Sequence, residues 1–138
     1  MSIEISVIYE GDLRTRAEHG PSGEDLLTDA PIDNRGRGET FSPTDLVATG
    51  LGTCMLTLMG IAARERDLDI TGSTVTVTKI MVADPHRRIA ALPSTIRVPI
   101  FVLVEHQRVL EHAARNCPVQ NSLDPRIERE VTFEWAPA

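Results

Sequence analysis

The stretch "IEISVIYE" at positions 3–10 alternates Ile3, Ile5 and Val7 against Glu4 and Ser6, the period of two that marks a half-buried strand. Glu10-Gly11-Asp12 turns the chain. "LRTRAEH" then supplies a hairpin partner, with Leu13, Thr15 and Ala17 on one face and Arg14, Arg16 and Glu18 on the other. After the "GPSGE" turn a third short strand is predicted over 25–29. Residues 30–42, "APIDNRGRGETFS", are too polar and glycine-rich to pack by themselves and read as a loop.

The pattern changes at Ser42. Ser42 as N-cap, Pro43 at the first helical position and Asp45 as the reciprocal cap predict a helix from Pro43 to about Asp67, with Phe41 placed to staple against Leu46 or Val47. From Leu46 to Ala63 there is no charged residue. A membrane span is weighed and set aside, because three threonines, three glycines and the polar cap leave this segment short and weakly hydrophobic. The stretch predicts instead a helix buried on nearly all sides, by sheets or by a second subunit, with Gly50 and Gly60 allowing close backbone approach.

Beyond the "DLDITG" turn, "STVTVTKIMV" places Val75, Val77 and Lys79 against threonines, a strong strand signal, and "DPHRR" bends the chain. A strand pair is expected from Ile89–Ala91 and from Thr95 to about Val102, with Pro99 marking an edge or a bulge. "EHQRVLEHAARN" reads as a helix over 105–116 with Val109, Leu110 and Ala113 inward, and Pro118 breaks it and opens a further short turn. The alternating "RIEREVTFEW" closes the chain as a strand, with Ile127, Val131 and Phe133 on one side if a bulge falls near Arg129 or Glu130. The class is α+β, one domain over 1–138.

At 138 residues with 14 Lys plus Arg against 20 Asp plus Glu, the net charge of −6 argues against a nucleic-acid footprint, which needs net positive surface. Nothing at the start of the sequence resembles an export signal, so a cytoplasmic setting is expected. No nucleotide loop is present, and His19, His86, His106 and His112 show no metal-ligand spacing; His112, close before Cys117, reads as a surface histidine.

The candidate chemistry therefore rests on two cysteines. A lone cysteine in an apolar helix is ordinarily a small packing residue. Cys54 lies deep in the charge-free helix, whereas Cys117 sits at a helix boundary before Pro118, where small backbone movement is possible. As neighbours they would make an attacking and a resolving thiol, but 63 intervening positions leave their contact open. Met55, Leu58, Met59 and Phe41 read as core residues that as a group could wall an apolar pocket around Cys54.

"FSPTDLVATGLGTCM" followed by "AARNCPVQNSL" at this spacing resembles the OsmC/Ohr family of osmotically induced and organic-hydroperoxide-resistance proteins, over nearly the whole chain. The resemblance implies antiparallel sheets around a long buried central helix, and an intertwined homodimer with two sites at the subunit interface. It implies that Cys54 is the peroxidatic and Cys117 the resolving cysteine of a thiol-dependent peroxidase acting on organic hydroperoxides, regenerated by an external, lipoyl-like dithiol without metal or organic cofactor. Peroxidase members of the family typically carry Pro-Glu at the helix start, the Glu holding an Arg that supports the thiolate. This chain has Pro43-Thr44, with Asp45 one residue on and rotated about 100° around the helix. Glu39 is the candidate substitute, and Arg14 or Arg16 the candidate arginine. The departure leaves a second reading, a non-peroxidase OsmC-like binding or redox-sensing protein whose thiols are structural.

Overall fold

The computed structural model describes all residues, 1–138. It is an α+β chain with antiparallel sheets and a central helix, and it divides into two compact units, Met1–Val47 and Ala48–Ala138.

In Met1–Val47 the three predicted strands form one antiparallel sheet in sequence order: β1 (Ile5–Gly11), β2 (Arg14–His19) and β3 (Asp25–Asp29). The β1–β2 turn bends at Asp12 and Leu13, both in the left-handed region at φ 54° and 62°, the conformation of a two-residue hairpin turn that usually takes glycine or asparagine. Contrary to the half-buried pattern expected of β1, its apolar side chains are open: Ile5, Val7, Ile8 and Tyr9 are each more than 60% exposed. The loop that follows contains one unpredicted turn of 3-10 helix at Ile32–Asn34, and Gly36 packs there so closely that a Cβ would overlap the Ala30 carbonyl oxygen.

Helix α1 (Pro43–Arg64) starts where the cap motif places it. Ser42 Oγ accepts from the Asp45 N–H at 3.1 Å and Asp45 Oδ2 accepts from the Ser42 N–H at 2.9 Å, the two halves of a capping box. The helix ends at Arg64, three residues earlier than expected, and the polar run beyond it leaves the axis through turns at Arg66 and Asp67. By length and composition α1 is long and apolar enough to cross a membrane. Its inward face is a protein core, in which Leu51, Met55 and Met59 are fully buried.

Burial on nearly all sides does not hold within one chain: Thr49, Thr53, Thr57 and Ile61 are exposed along the opposite face. There Thr53 and Thr57 turn their hydroxyls onto the carbonyls one turn back, satisfying the polar groups within the helix. The close-approach glycine is Gly52 rather than Gly50 or Gly60. A Cβ at Gly52 would sit 3.1 Å from the methyls of Val75 and Val77, while at Gly50 and Gly60 it would meet nothing within 4 Å.

Within Ala48–Ala138, the predicted long strand after the "DLDITG" turn is two strands in two sheets. β4 (Thr74–Val77) pairs with β7 (Ser94–Val98), and β5 (Ile80–Val82) pairs with β6 (Arg88–Ala91). Thr78 donates its N–H to Pro93 O at the end of β4, and the partner changes before Ile80, so alternation persists across two ladders. The segments expected to pair with each other, Ile89–Ala91 and the strand before Pro99, belong to these different sheets. β7 is the central strand of its three-stranded sheet, and Pro99 ends it instead of marking an edge. Ser94, Ile96 and Val98 alternate inward along it. β8 (Val131–Trp135) lies parallel to β7, the one parallel pair among the strands, and an isolated parallel bridge joins Ala91 to Glu128. No bulge falls near Arg129 or Glu130: the register of the Ala91–Glu128 bridge continues unchanged into Ser94–Val131, and exposure alternates without interruption, so Ile127, Val131 and Phe133 share one side by the strand period alone.

Helix α2 (Val104–Arg115) buries Leu110 and Ala114 fully, a face one residue removed from the predicted Val109, Leu110 and Ala113. It covers β8 through Arg115 over the Phe133 ring at 4.9 Å and through Trp135 Nε1 donating to Glu111 at 3.3 Å. Cys117 and Pro118 then open α3 (Pro118–Ser122), the predicted short turn.

Candidate functional site

Two groups of chemically capable side chains emerge, one in each unit. In Ala48–Ala138, Cys54 and Cys117 come together: their side chains approach to 3.4 Å with no bond between them. A separation of 63 positions is closed because α2 and its Pro118 break bring α3 back beside the middle of α1.

The two environments are the reverse of those expected. Cys117 is fully buried, and Cys54 is partly exposed. Cys54 lies at the border between the buried Leu51-Met55-Met59 face of α1 and its open threonine face, and the absent side chain of Gly50, one turn earlier, leaves space beside it. Cys117 is immobilised by a job of its own: it is the N-cap of α3, its Sγ accepting from the Gln120 N–H at 3.5 Å. Helix boundaries look mobile in sequence, but this one is pinned by its cap.

Burial pushes the Cys117 thiol up from its ordinary range; the Gln120 N–H acts in the opposite sense, and a hydrogen bond and negative charge on Cys54 push it further up. Burial thus holds Cys117 toward its neutral thiol form. Met55 and Met59 are fully buried in the core, as read from the sequence, while Leu58 is half-buried beside Cys54 on the helix surface and Phe41 is exposed. His112 is exposed and bonded to Asn116, in keeping with its reading as a surface histidine.

In Met1–Val47 the arginines separate. Arg14 Nη2 donates to Glu39 Oε2 at 2.7 Å and lies 3.6 Å from Asp29 Oδ2. Asp29, absent from the sequence-based candidates, is 1% exposed; its Oδ2 also accepts from the Glu39 N–H at 3.1 Å. Strand alternation gave no sign of it, because its burial depends on the loop returning over the end of β3. Arg16 instead divides its guanidinium between Glu10 at 3.1 Å and Asp25 at 2.7 Å. The carboxylates raise both arginines' pKa further, Glu39 foremost for Arg14 and Asp25 for Arg16. Glu39 thus holds Arg14, and Asp45 is engaged in the helix cap. No group of three or more His, Cys, Asp or Glu side chains is arranged to hold a metal ion.

The fold and the thiol pair define a small α+β protein with two reduced, juxtaposed cysteines. The chain belongs to the OsmC-like protein family, whose model matches residues 36–132. Among solved structures it is 45% identical to a protein of Psychrobacter arcticus 273-4 provisionally assigned to osmotic stress induction and detoxification response, with 94% of each chain covered and a TM-score of 0.90. The organic hydroperoxide resistance protein OsmC of Legionella pneumophila is 14% identical over 97% of each chain, with a TM-score of 0.78. OhrB of Bacillus subtilis, also an organic hydroperoxide resistance protein, is 16% identical over 97% of this chain and 98% of its own, at a TM-score of 0.71. These last two share the fold. No curated protein matches the sequence. Membership supports a redox or antioxidant role of the kind typical of the family.

The unequal thiols have a direct chemical consequence. Iodoacetamide at one equivalent near neutral pH should modify Cys54 in preference to Cys117, read by peptide mass mapping. Cys117 should become reactive only above the ordinary thiol range. The same shift fixes a sign for stability. Below the ordinary thiol pKa both folded and unfolded chains keep the proton, and the contribution is fully present. As pH rises further, the unfolded chain loses that proton first and stability falls until the folded thiol also ionises. Equal labelling of both cysteines at neutral pH would contradict the assignment.

Proposed function

We propose that the protein is a thiol-dependent peroxidase that reduces organic hydroperoxides to alcohols. The single observation that carries this reading is the approach of Cys54 to 3.4 Å from a buried Cys117. The Cys54 thiolate attacks one oxygen of the peroxide; the O–O bond breaks, the alkoxide leaves and takes a proton as the alcohol, and Cys54 becomes a sulfenic acid. Cys117 condenses with it, releasing water and leaving a Cys54–Cys117 disulfide. An external dithiol returns both sulfurs to thiols by exchange, in a cytoplasmic, reducing setting. Half-exposure of Cys54 beside Leu58 suits an alkyl-bearing substrate.

Of the two candidate catalytic arginines, Arg14 is the one this reading favours. Glu39 and Asp29 hold its guanidinium in one orientation, whereas Arg16 is spread between two exposed carboxylates. The working form is a homodimer. Support comes from the open apolar side chains of β1 and from the exposed Ile61 on a charge-free face of α1, which a second copy would cover. A particle of 15.2 kDa at micromolar concentration in sedimentation, instead of about twice that mass, would contradict the dimer. The capping role of Cys117 favours the second reading, in which both thiols are structural members of a binding or sensing protein.

Intact-mass measurement after one equivalent of cumene hydroperoxide separates the two readings. The unsubstituted chain should lose about two mass units as the disulfide, Cys117→Ser should gain about sixteen as the sulfenic acid, and Cys54→Ser should remain unmodified on the same timescale. Arg14→Gln should slow the first oxidation and Arg16→Gln should leave it near the original rate. Equally slow oxidation of both single-cysteine variants, with no rapid disulfide, would establish the thiols as structural.

A further inference from the structure

Gln120 is tied in three directions within Ala48–Ala138. Its backbone N–H donates to Cys117 Sγ at 3.5 Å, its side-chain Nε2 donates to Met55 Sδ at 3.6 Å, and its carbonyl accepts from Arg129 Nη1. Met55 is the residue after Cys54 in α1 and is fully buried. Gln120 therefore fastens the start of α3, where Cys117 sits, to the turn of α1 that carries Cys54. A helix of five residues cannot hold its own position, since an isolated turn of that length is unstable. Its placement depends on ties of this kind.

Resting on the peroxidase reading above, we propose that Gln120 is a positioning residue for the resolving step, holding Cys117 within reach of the Cys54 sulfenic acid through the Gln120–Met55 hydrogen bond. In that step the Cys117 sulfur attacks the Cys54 sulfur; the S–S bond forms, the S–O bond breaks, and the departing hydroxide takes the Cys117 proton and leaves as water. The hydroperoxide has already supplied the oxidising equivalent, and no other oxidant enters. The sulfurs must close from the 3.4 Å contact to a bond of about 2.05 Å. The competing fate of the sulfenic acid is a second hydroperoxide, which carries it to sulfinic acid. Any loosening of α3 favours that competitor and leaves the first oxidation unchanged.

The test is a double-mutant cycle on the full chain. Gln120→Leu removes the donor and Met55→Leu removes the acceptor, both with nearly conserved volume and an intact backbone N–H at position 120. The reduced proteins are treated with rising cumene hydroperoxide and the products are partitioned by intact mass between disulfide, about −2, and sulfinic acid, about +32. Each single substitution should raise the sulfinic-to-disulfide ratio about twofold, the low end of what a hydrogen bond is worth because a thioether sulfur is a weak acceptor, and the double variant should go no further. The rate at which the Cys54 thiol disappears should be the same in all four chains. An unchanged ratio in either single variant, or effects that multiply in the double variant, overturns the positioning role while the peroxidase reading stands. Absence of any disulfide in the unsubstituted chain overturns the peroxidase reading and this inference with it.

Discussion

A helix without a charge from Leu46 to Ala63 must be covered, and the way α1 is covered sets the rest of the molecule. Within Ala48–Ala138 one face goes into the core. Leu51, Met55 and Met59 are shut off from water, and Gly52 lets the helix backbone settle onto Val75 and Val77 of β4. Full burial of such side chains stabilises by about 1.5–3 kcal/mol each, so this face holds the element in place. Its other face keeps threonines whose hydroxyls return to the helix carbonyls. Cys54 falls on the line between the two, close enough to the core to meet Cys117 and open enough to meet a small molecule.

From that position the asymmetry of the thiols follows. The buried partner is constrained by a helix cap, and burial pushes its thiol up; the half-exposed one is accessible. A nucleophile needs access and a resolving group needs proximity, and each cysteine has the property its proposed step requires. Arg14 shows the same separation of roles among charges. One arginine is oriented by a buried aspartate and a loop glutamate, and its neighbour two residues on is solvated in ordinary surface pairs.

Local chemistry was legible from the sequence wherever the signal was local. The capping box at Ser42–Asp45, the three N-terminal strands, the helix before Cys117 and the turn opened by Pro118 all stand where propensity and capping rules put them. Partner choice was not legible. "STVTVTKIMV" keeps its alternation through Thr78 and Lys79 although its two halves pair with different strands, because side-chain period says nothing about which edge a strand meets. Pro99 could be placed at a strand end but not distinguished from an edge marker, since the central position of β7 comes from β8 arriving parallel from the far end of the chain.

In the site, the cysteines and the Glu39–Arg14 pairing were foreseeable, the former through family resemblance and the latter through the charged loop. Asp29, Gln120 and Met55 were not. Their roles come from long-range packing: a loop folding over a strand end, and a five-residue helix laid against the middle of another. The exchange of buried and exposed cysteines has the same origin. An apolar neighbourhood in sequence does not say which side of a helix the chain will cover.

The most direct measurement of the central claim is steady-state consumption of cumene hydroperoxide by the reduced protein with dihydrolipoamide in excess. Many equivalents of peroxide should be consumed per equivalent of protein, with the alcohol formed in equal amount and the activity abolished in Cys54→Ser. Consumption that stops at one equivalent, or that proceeds equally without Cys54, would contradict it.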